Sequence, residues 1–143
     1  MDDFIDTMDR KIEKVQWKNI DGTEYFLHVG KKSYAEARVY CKNVGGKLME
    51  PKSPQVNAIV QFIVNSLGLR ANWWVWIGIH DIHDEKNFVY DSDGKQISWR
   101  NFSPGQPDNY GRREHCVHVW HGKGKWNDYP CEKKLSFACE RGR

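Results

Sequence analysis

The sequence predicts a single α+β domain closed by disulfide bonds, and three observations support this prediction. A chain of 143 residues has the length of one domain and can bury a hydrophobic core. The first half carries two helical patterns with clear start signals, whereas the part after Trp76 consists of short apolar runs between long polar loops. The four cysteines are an even count, which indicates two disulfides and therefore an oxidising compartment. Sequence alone leaves every pairing of these cysteines open.

The chain begins with an amphipathic pattern over residues 1–18. Ile5, Met8, Ile12 and Val15 recur at spacings of three, four and three residues, with charged side chains between them. So short a seam is not stable as an isolated coiled coil in water. Two interpretations remain open: the segment is the end of a longer coiled coil, or it is an amphipathic helix that packs on its own domain.

A strand and a helix are predicted next. The run Tyr25–Val29 is rich in aromatic and aliphatic residues, which is typical of a strand. Ser33, followed three residues later by Glu36, has the pattern of a capping box, so a helix should begin there. We expect this helix to continue to about Asn43, because the pair Gly45–Gly46 then ends it.

A second helix and three further strands complete the predicted elements. The helix should begin at Ser53–Pro54 and end at Leu67–Gly68, and its apolar face consists of Val56, Ile59, Val60, Ile63 and Val64. Short apolar runs predict strands at 75–79, 117–120 and 136–140. The tryptophans at 73, 74, 76, 99 and 126 are expected in the core. The turn-rich region 91–106 predicts a long loop, which in a compact domain usually serves a function.

Oxygen-bearing side chains concentrate in this loop and in the segments after it. Gln106 and Asp108 flank a proline, and Glu114, Asn127 and Asp128 follow, each close to a cysteine. Carboxylates together with neutral amide oxygens are the ligands that Ca²⁺ selects, with about six to eight oxygens per ion. Each acid of the region has a role as a metal ligand, and no nucleophile is paired with a base, so the pattern argues against an enzyme.

The charge pattern excludes two other classes of protein. The net charge of +3 is small, and the basic residues cluster only weakly, at Arg112–Arg113 and in the loop 123–125. A nucleic-acid-binding face would need a continuous basic stripe. No apolar stretch is long enough to span a membrane, and the residues after Met1 do not form a secretory signal peptide. Because the cysteines indicate an oxidising compartment, we expect the mature part of a secreted protein.

These motifs resemble the C-type lectin domain, and the collectin sugar-binding domains in particular. The resemblance covers residues 24–143: Trp76–Ile79 is similar to a core strand of the family, the stretch from Tyr34 to Cys41 is similar to its first helix, and all four cysteines match in position. It implies the C-type lectin fold, with two helices, small antiparallel sheets and a long-loop calcium-binding lobe over residues 19–143. It implies a helical neck over residues 1–18. It also implies the disulfides Cys41–Cys139 and Cys116–Cys131.

The resemblance also implies which residues form the site. The expected Ca²⁺ ligands are Gln106, Asp108, Glu114, Asn127 and Asp128, and the expected sugar contacts are Gln106, Asp108, Tyr110, Glu114 and Asn127. In the family, a site in which the amide precedes the acid goes with galactose, whereas the reverse order goes with mannose. An auxiliary calcium site would use Asp81, Glu85, Asn109 and His115, although the last two stand where acids are usual.

The resulting expectation is calcium-dependent binding of terminal galactose or N-acetylgalactosamine. The neck implies a homotrimer, and the family implies a soluble, secreted lectin of innate immunity. An alternative is a domain of the same fold that binds a protein ligand and has a silent sugar site. Neither alternative involves catalysis, nucleic acid or insertion into a membrane.

Overall fold

The computed structural model describes residues 17–68, 73–120 and 122–142. The predicted neck residues Ile5, Met8, Ile12 and Val15 therefore lie outside the described residues. The described residues form α1 (Tyr34–Asn43), α2 (Pro54–Ser66), a 3-10 turn (Tyr110–Arg112) and the strands β1 (Lys18–Ile20), β2 (Thr23–Lys32), β3 (Lys47–Leu48), β4 (Trp74–His80), β5 (Val89–Tyr90), β6 (Cys116–Trp120), β7 (Lys125–Tyr129) and β8 (Leu135–Arg141).

The strands form one hydrogen-bonded sheet in the order β1-β2-β8-β4-β6-β7. The short strand β3 pairs with β8, and β5 pairs with β4. All pairings are antiparallel except that of β4 with β8, where Val75 lies beside Ser136 and Trp76 beside Phe137. The sequence indicates small antiparallel sheets, and the structure joins them into a single mixed sheet through this parallel pair.

Both helices begin where the capping residues predict. The Ser33 hydroxyl accepts a hydrogen bond from the Glu36 amide (3.3 Å), and the Glu36 carboxylate accepts one from the Ser33 amide (2.9 Å). These two bonds make a complete capping box. The Ser53 hydroxyl caps α2 by accepting a hydrogen bond from the Val56 amide (3.2 Å), with Pro54 in the first turn. α2 ends at Ser66 with Leu67 as its C-cap, in agreement with the predicted stop.

The sheet has a hydrophobic core on each face, and α2 covers one of them. There Ile59, Val60, Ile63 and Val64 pack with inward residues of β4, β6 and β7, including the fully buried Trp126. Most of the predicted apolar face of α2 is therefore buried; Val56 is only partly buried. Asn57 was not expected there, but it is also buried.

The other face packs against α1 and contains the disulfide Cys41–Cys139, with Tyr34, Trp76 and Phe137. The second disulfide joins Cys116 at the start of β6 to Cys131 after β7. Both pairings are those that the resemblance implies. Of the five predicted core tryptophans, Trp76 and Trp126 are fully buried, whereas Trp73 and Trp99 are only partly buried. Trp74 exposes 37% of its surface, and its ring stacks on His118.

The first long strand, β2, and the last strand, β8, are neighbours in the sheet. Glu24 of β2 lies opposite Arg141 of β8, and their side chains form an ion pair of 2.9 Å. Trp17 packs edge-on against Phe26, and Lys18 pairs with Tyr25 in β1. The first described residues thus contact the domain, while the proposed boundary at residue 18 stays a prediction. Neither helix of the described chain has the length and apolar run needed to cross a bilayer.

Candidate metal centre

Three carboxylates converge beside the ends of β6 and β7. Asp128 lies in β7, Glu114 lies just before β6, and Asp108 lies in the long loop that precedes the 3-10 turn. One oxygen from each carboxylate lies within 4.8 Å of the other two. Among the described residues, this is the one group of three or more acids, histidines or cysteines that approach one another so closely. Three neighbouring negative charges repel one another unless a cation or a proton compensates them.

Backbone amides of the loop hold these carboxylates in position. The amides of Asp108 and Asn109 donate to the two oxygens of Asp128 over 3.2 and 2.8 Å. The Tyr110 amide donates to both Asp108 (3.2 Å) and Glu114 (3.1 Å). The side chain of Asn109 accepts a hydrogen bond from the Glu114 amide over 3.0 Å. The loop is therefore closed on itself around the acids.

The crowding of the acids shifts their pKa values. Burial raises the pKa of the Glu114 carboxyl to about 7, and its hydrogen bond with Asp108 and the charges of Asp128 and Asp108 add to the increase. The same hydrogen bond from Glu114 lowers the pKa of Asp108. Burial also raises the pKa of Asp128, with a contribution from the charge of Asp108. Without a cation, the cluster therefore retains a proton close to neutral pH, and Glu114 carries it.

The other two predicted ligands are neutral amides. The side-chain oxygen of Asn127 is buried and has no hydrogen-bond partner among the described residues. The Gln106 amide lies at the cluster: in one orientation its nitrogen donates to Asp128 over 2.8 Å and to Asp108 over 3.3 Å. In the other orientation, its oxygen takes that place beside the carboxylates. The peptide bond between Gln106 and Pro107 is cis.

The donor set fits Ca²⁺. It consists of three carboxylates and two amide oxygens, without thiolate or imidazole, and hard oxygen donors of this kind favour Ca²⁺ over softer metals. The unpartnered Asn127 oxygen is the strongest sign, because a buried acceptor without a donor costs about 1–3 kcal/mol unless something else satisfies it. The structure thus brings Asp108, Glu114 and Asp128 together with Gln106 beside them. Asn127 precedes Asp128 in β7, and its part in the ligand set stays a prediction.

A buried network of hydrogen bonds holds the start of β7, and sequence reasoning missed it. Asn57 of α2 accepts a hydrogen bond from the Trp126 indole (2.7 Å) and donates to the Gly124 carbonyl (2.7 Å). Asn101 donates to the same carbonyl (2.8 Å), and its own carbonyl accepts from the Trp126 amide (3.0 Å). Trp126 directly precedes Asn127 and Asp128, so the network fixes the strand that carries these two predicted ligands. The signal in the sequence was an asparagine in register with Val60 and Val64 on an apolar helix face.

Among the large hydrophobic residues that the structure describes as exposed, Tyr110 has the greatest exposure, with 79% of its surface accessible. It begins the 3-10 turn, and its amide bonds directly to two of the carboxylates. The backbone of Tyr110 therefore lies beside the carboxylates, and its side chain is exposed to solvent. An aromatic ring in such a position offers a rigid apolar face.

The four residues predicted for the auxiliary calcium site contact one another in pairs in the described structure. Asp81 pairs with His115 (3.2 Å) and accepts a hydrogen bond from the Lys86 amide (2.7 Å). Glu85 instead accepts a hydrogen bond from the Asn109 side chain. The four predicted residues thus form two separate pairs, because an imidazole and an amide replace acids and satisfy the remaining carboxylates. We do not propose a second ion there.

Comparison with known proteins agrees with the fold. The family described as "Lectin C-type domain" matches residues 30–141. Salivary C-type lectin 2 of Aedes albopictus is 38% identical over 109 residues, covering 71% of this chain and 72% of that protein. Perlucin of Haliotis laevigata is 32% identical over 121 residues, covering 83% of this chain and 76% of that protein.

A solved structure shows the same architecture. The carbohydrate-recognition domain of the mouse scavenger receptor C-type lectin superposes with a TM-score of 0.79 at 26% identity, covering 89% of this chain and 95% of that one. The family binds carbohydrate, and its domains generally bind Ca²⁺. The family match over most of the length, together with these relatives, shows that the chain belongs to the C-type lectin domain family.

Proposed function

We propose that this protein binds glycans with terminal galactose or N-acetylgalactosamine in a calcium-dependent manner. The observation that carries the proposal is the set of oxygens at the metal centre, in which three acids converge and Asn127 keeps a buried, unpartnered oxygen. Gln106, Asp108, Glu114, Asn127 and Asp128 would hold the ion. When bound, Ca²⁺ supplies coordination positions for two neighbouring sugar hydroxyls. The role is one of binding, without catalysis.

The order of amide and acid around Pro107 supports the preference for galactose. A sugar hydroxyl donates its proton to a carboxylate and accepts one from an amide. Here the amide of Gln106 comes first and the carboxylate of Asp108 second, so the donor and the acceptor are exchanged relative to an acid-first site. The arrangement of the two sugar hydroxyls that fits the site therefore changes as well. We therefore propose the axial 4-hydroxyl of galactose over the equatorial one of mannose.

Tyr110 adds an apolar surface for the sugar. Its exposed ring can lie against the face of galactose that carries only C–H groups. No further loop braces this ring, because Gly111 and two arginines lead directly to Glu114. We expect a single site to bind galactose with a dissociation constant of about 1 mM, which corresponds to about −4 kcal/mol.

We further propose a secreted, collectin-like lectin of innate immunity that forms a homotrimer through the neck. The two disulfides support an oxidising compartment. The apolar seam of residues 5–15 supports the trimer. Clustering would compensate for weak single sites, because linked sites can raise avidity by about 10²–10⁴ without new contacts.

A glycan array tests the main proposal when it is run with CaCl₂ and again with a chelator. Binding to terminal galactosides only in the presence of calcium is expected. The pair Gln106→Glu with Asp108→Asn restores the acid-first order and should move the preference toward mannose. A matched control pair is Gln55→Glu with Asp21→Asn, which makes the same chemical changes at exposed positions.

Two outcomes would contradict the proposal. A double variant that still prefers galactose would show that the order of the amide and the acid does not set selectivity. A wild-type protein that binds Ca²⁺ but no glycan would favour a protein ligand with a silent sugar site.

Tyr110→Ala should weaken galactose binding by about 1 kcal/mol and leave calcium affinity unchanged. An unchanged galactose affinity would show that the ring of Tyr110 does not contact the sugar.

A further inference from the structure

We propose that Arg112 and Arg113 form an anion subsite beside the sugar site, so that the preferred ligand is a galactoside carrying a sulfate ester or a carboxylate. This inference rests on the proposed function and names the class of sugar that the site would take. It concerns the basic pair that neither the metal centre nor the fold uses.

The first observation is that both arginines are exposed and unpaired. Each lies on the surface, and neither forms an ion pair or a side-chain hydrogen bond with any other described residue. Asp108 and Glu114 lie on the same loop, and Asp128 lies beside them in β7, so acidic partners are available nearby. The acids are instead turned inward to one another and to backbone amides. The two guanidinium groups therefore remain free for a ligand.

The second observation is the way in which the loop places the pair next to Tyr110. The Arg112 amide donates to the Asn109 carbonyl over 2.7 Å, and the Glu114 amide donates to the Asn109 side chain over 3.0 Å. These bonds close residues 109–114 into a tight loop, with the arginines at its tip and the metal ligand Glu114 directly after them. A Cβ atom on Gly111 would come 3.7 Å from Nε of Arg113, so that guanidinium lies against the loop beside Tyr110.

The third observation is the backbone conformation of Arg112. Its φ of 58° lies in the left-handed region, as does the φ of 68° of the preceding Gly111. A long side chain is uncommon in this region, where glycine and asparagine are favoured, and such strain is concentrated at functional sites. Glycine would relieve the strain at this position, so the side chain of arginine is the feature that needs an explanation.

The charges are consistent with an anionic ligand. The three carboxylates of the site together with one Ca²⁺ would carry a net charge of −1. The two arginines change the net charge of this region to +1. Guanidinium is planar and presents paired N–H donors, which match the oxygens of a sulfate or a carboxylate. Exposed pairs of this kind are individually weak and are screened by salt. We therefore expect an anionic group to strengthen binding by about three- to tenfold at low ionic strength.

The experiment measures the affinity of the full chain, with saturating CaCl₂, for three monosaccharides. Methyl β-galactoside is the neutral reference, galactose 6-sulfate carries the sulfate, and galacturonic acid carries the carboxylate. All three leave the 3- and 4-hydroxyls free for the metal centre. At least one of the two anionic sugars should bind about three- to tenfold more tightly than the neutral sugar at low salt. The one that binds more tightly identifies whether sulfate or carboxylate is preferred. The advantage should disappear in about 0.5 M NaCl.

Two variants assign the effect to the pair. Arg112→Gln with Arg113→Gln should remove the advantage of the anionic sugars and leave methyl β-galactoside binding unchanged. Lys133→Gln with Lys134→Gln is the matched control, because it makes the same change in charge at two adjacent exposed positions outside the loop. Equal affinities of wild type for all three sugars, or an advantage that survives in the arginine variant, would overturn the inference. A failure of every galactoside to bind would instead refute the proposed function.

Discussion

Replacing Glu114 by Gln should stabilise the calcium-free protein at neutral pH and abolish most of its response to calcium. Burial and the neighbouring acids raise the pKa of Glu114 in the folded state from 4.5 to about 7. A carboxyl whose pKa is higher in the folded than in the unfolded state binds a proton more tightly when folded. Its favourable contribution is therefore complete below about pH 4.5 and is lost as the pH rises through 7.

The size of the effect follows from the shift. A difference of about 2.5 pKa units corresponds to at most about 3.4 kcal/mol, and water near the site reduces this to about 1–2 kcal/mol. Gln cannot ionise, but its side-chain oxygen can still accept the hydrogen bond from the Tyr110 amide. For a domain of this size, 1–2 kcal/mol corresponds to an increase in Tm of about 3–8 °C.

Thermal unfolding followed by circular dichroism in a chelator at pH 8 and at pH 4.5 tests this reasoning. The variant should be more stable than wild type at pH 8, and the two should be nearly equal at pH 4.5. Added CaCl₂ should stabilise wild type strongly and the variant weakly, because only the wild type keeps all three anionic ligands. Glu132→Gln, at an exposed position, is the control. A variant no more stable than wild type at pH 8 in the chelator would show that ionised Glu114 does not destabilise the calcium-free protein.

Three other predictions follow from the same structure. At limiting calcium, galactose binding should weaken as the pH falls below about 7, because protons compete with the ion for Glu114, and excess calcium should lower the midpoint measured on a galactose column; a midpoint that ignores calcium would contradict this. Asn57→Ala should lower the free energy of unfolding in urea by about 2–3 kcal/mol and weaken calcium binding, because the Trp126 indole loses its buried acceptor, whereas Asn65→Ala on the exposed side of α2 should be neutral. Sedimentation of the full chain should show trimers at high concentration; monomers at millimolar concentration would favour a neck helix that packs on its own domain.

The elements that could be predicted from the sequence are those governed by local chemistry. Ser33 with Glu36, and Ser53 with Pro54, specify helix starts through bonds that span only a few residues, and both helices begin there. The central strands were predicted from apolar runs, although the observed strands extend by one or more residues at their ends. The acids of the metal centre were assigned because their spacing resembles a family pattern, and the structure brings them together.

The features that could not be predicted depend on contacts between distant parts of the chain. The strands β1, β3 and β5 have only two or three residues each, so they carry no periodicity, and they exist because β2, β8 and β4 offer them partners. The parallel pairing of β4 with β8 is a property of the topology. Asn57 looked like an interruption of an apolar face until Trp126 and Gly124 supplied its partners.

The meeting of the first and last long strands has a mechanical consequence. The described residues run from residue 17 into β2 and from β8 to residue 142. The ion pair between Glu24 and Arg141 joins these two strands, and the bond between Cys41 and Cys139 ties β8 to α1. A force applied through both ends is therefore borne by β2 and β8 and by a covalent link, while loop 106–114 lies outside the loaded path. A stalk, a surface or a fused partner attached there would hold the domain from behind and leave the ligand-facing loops unstrained.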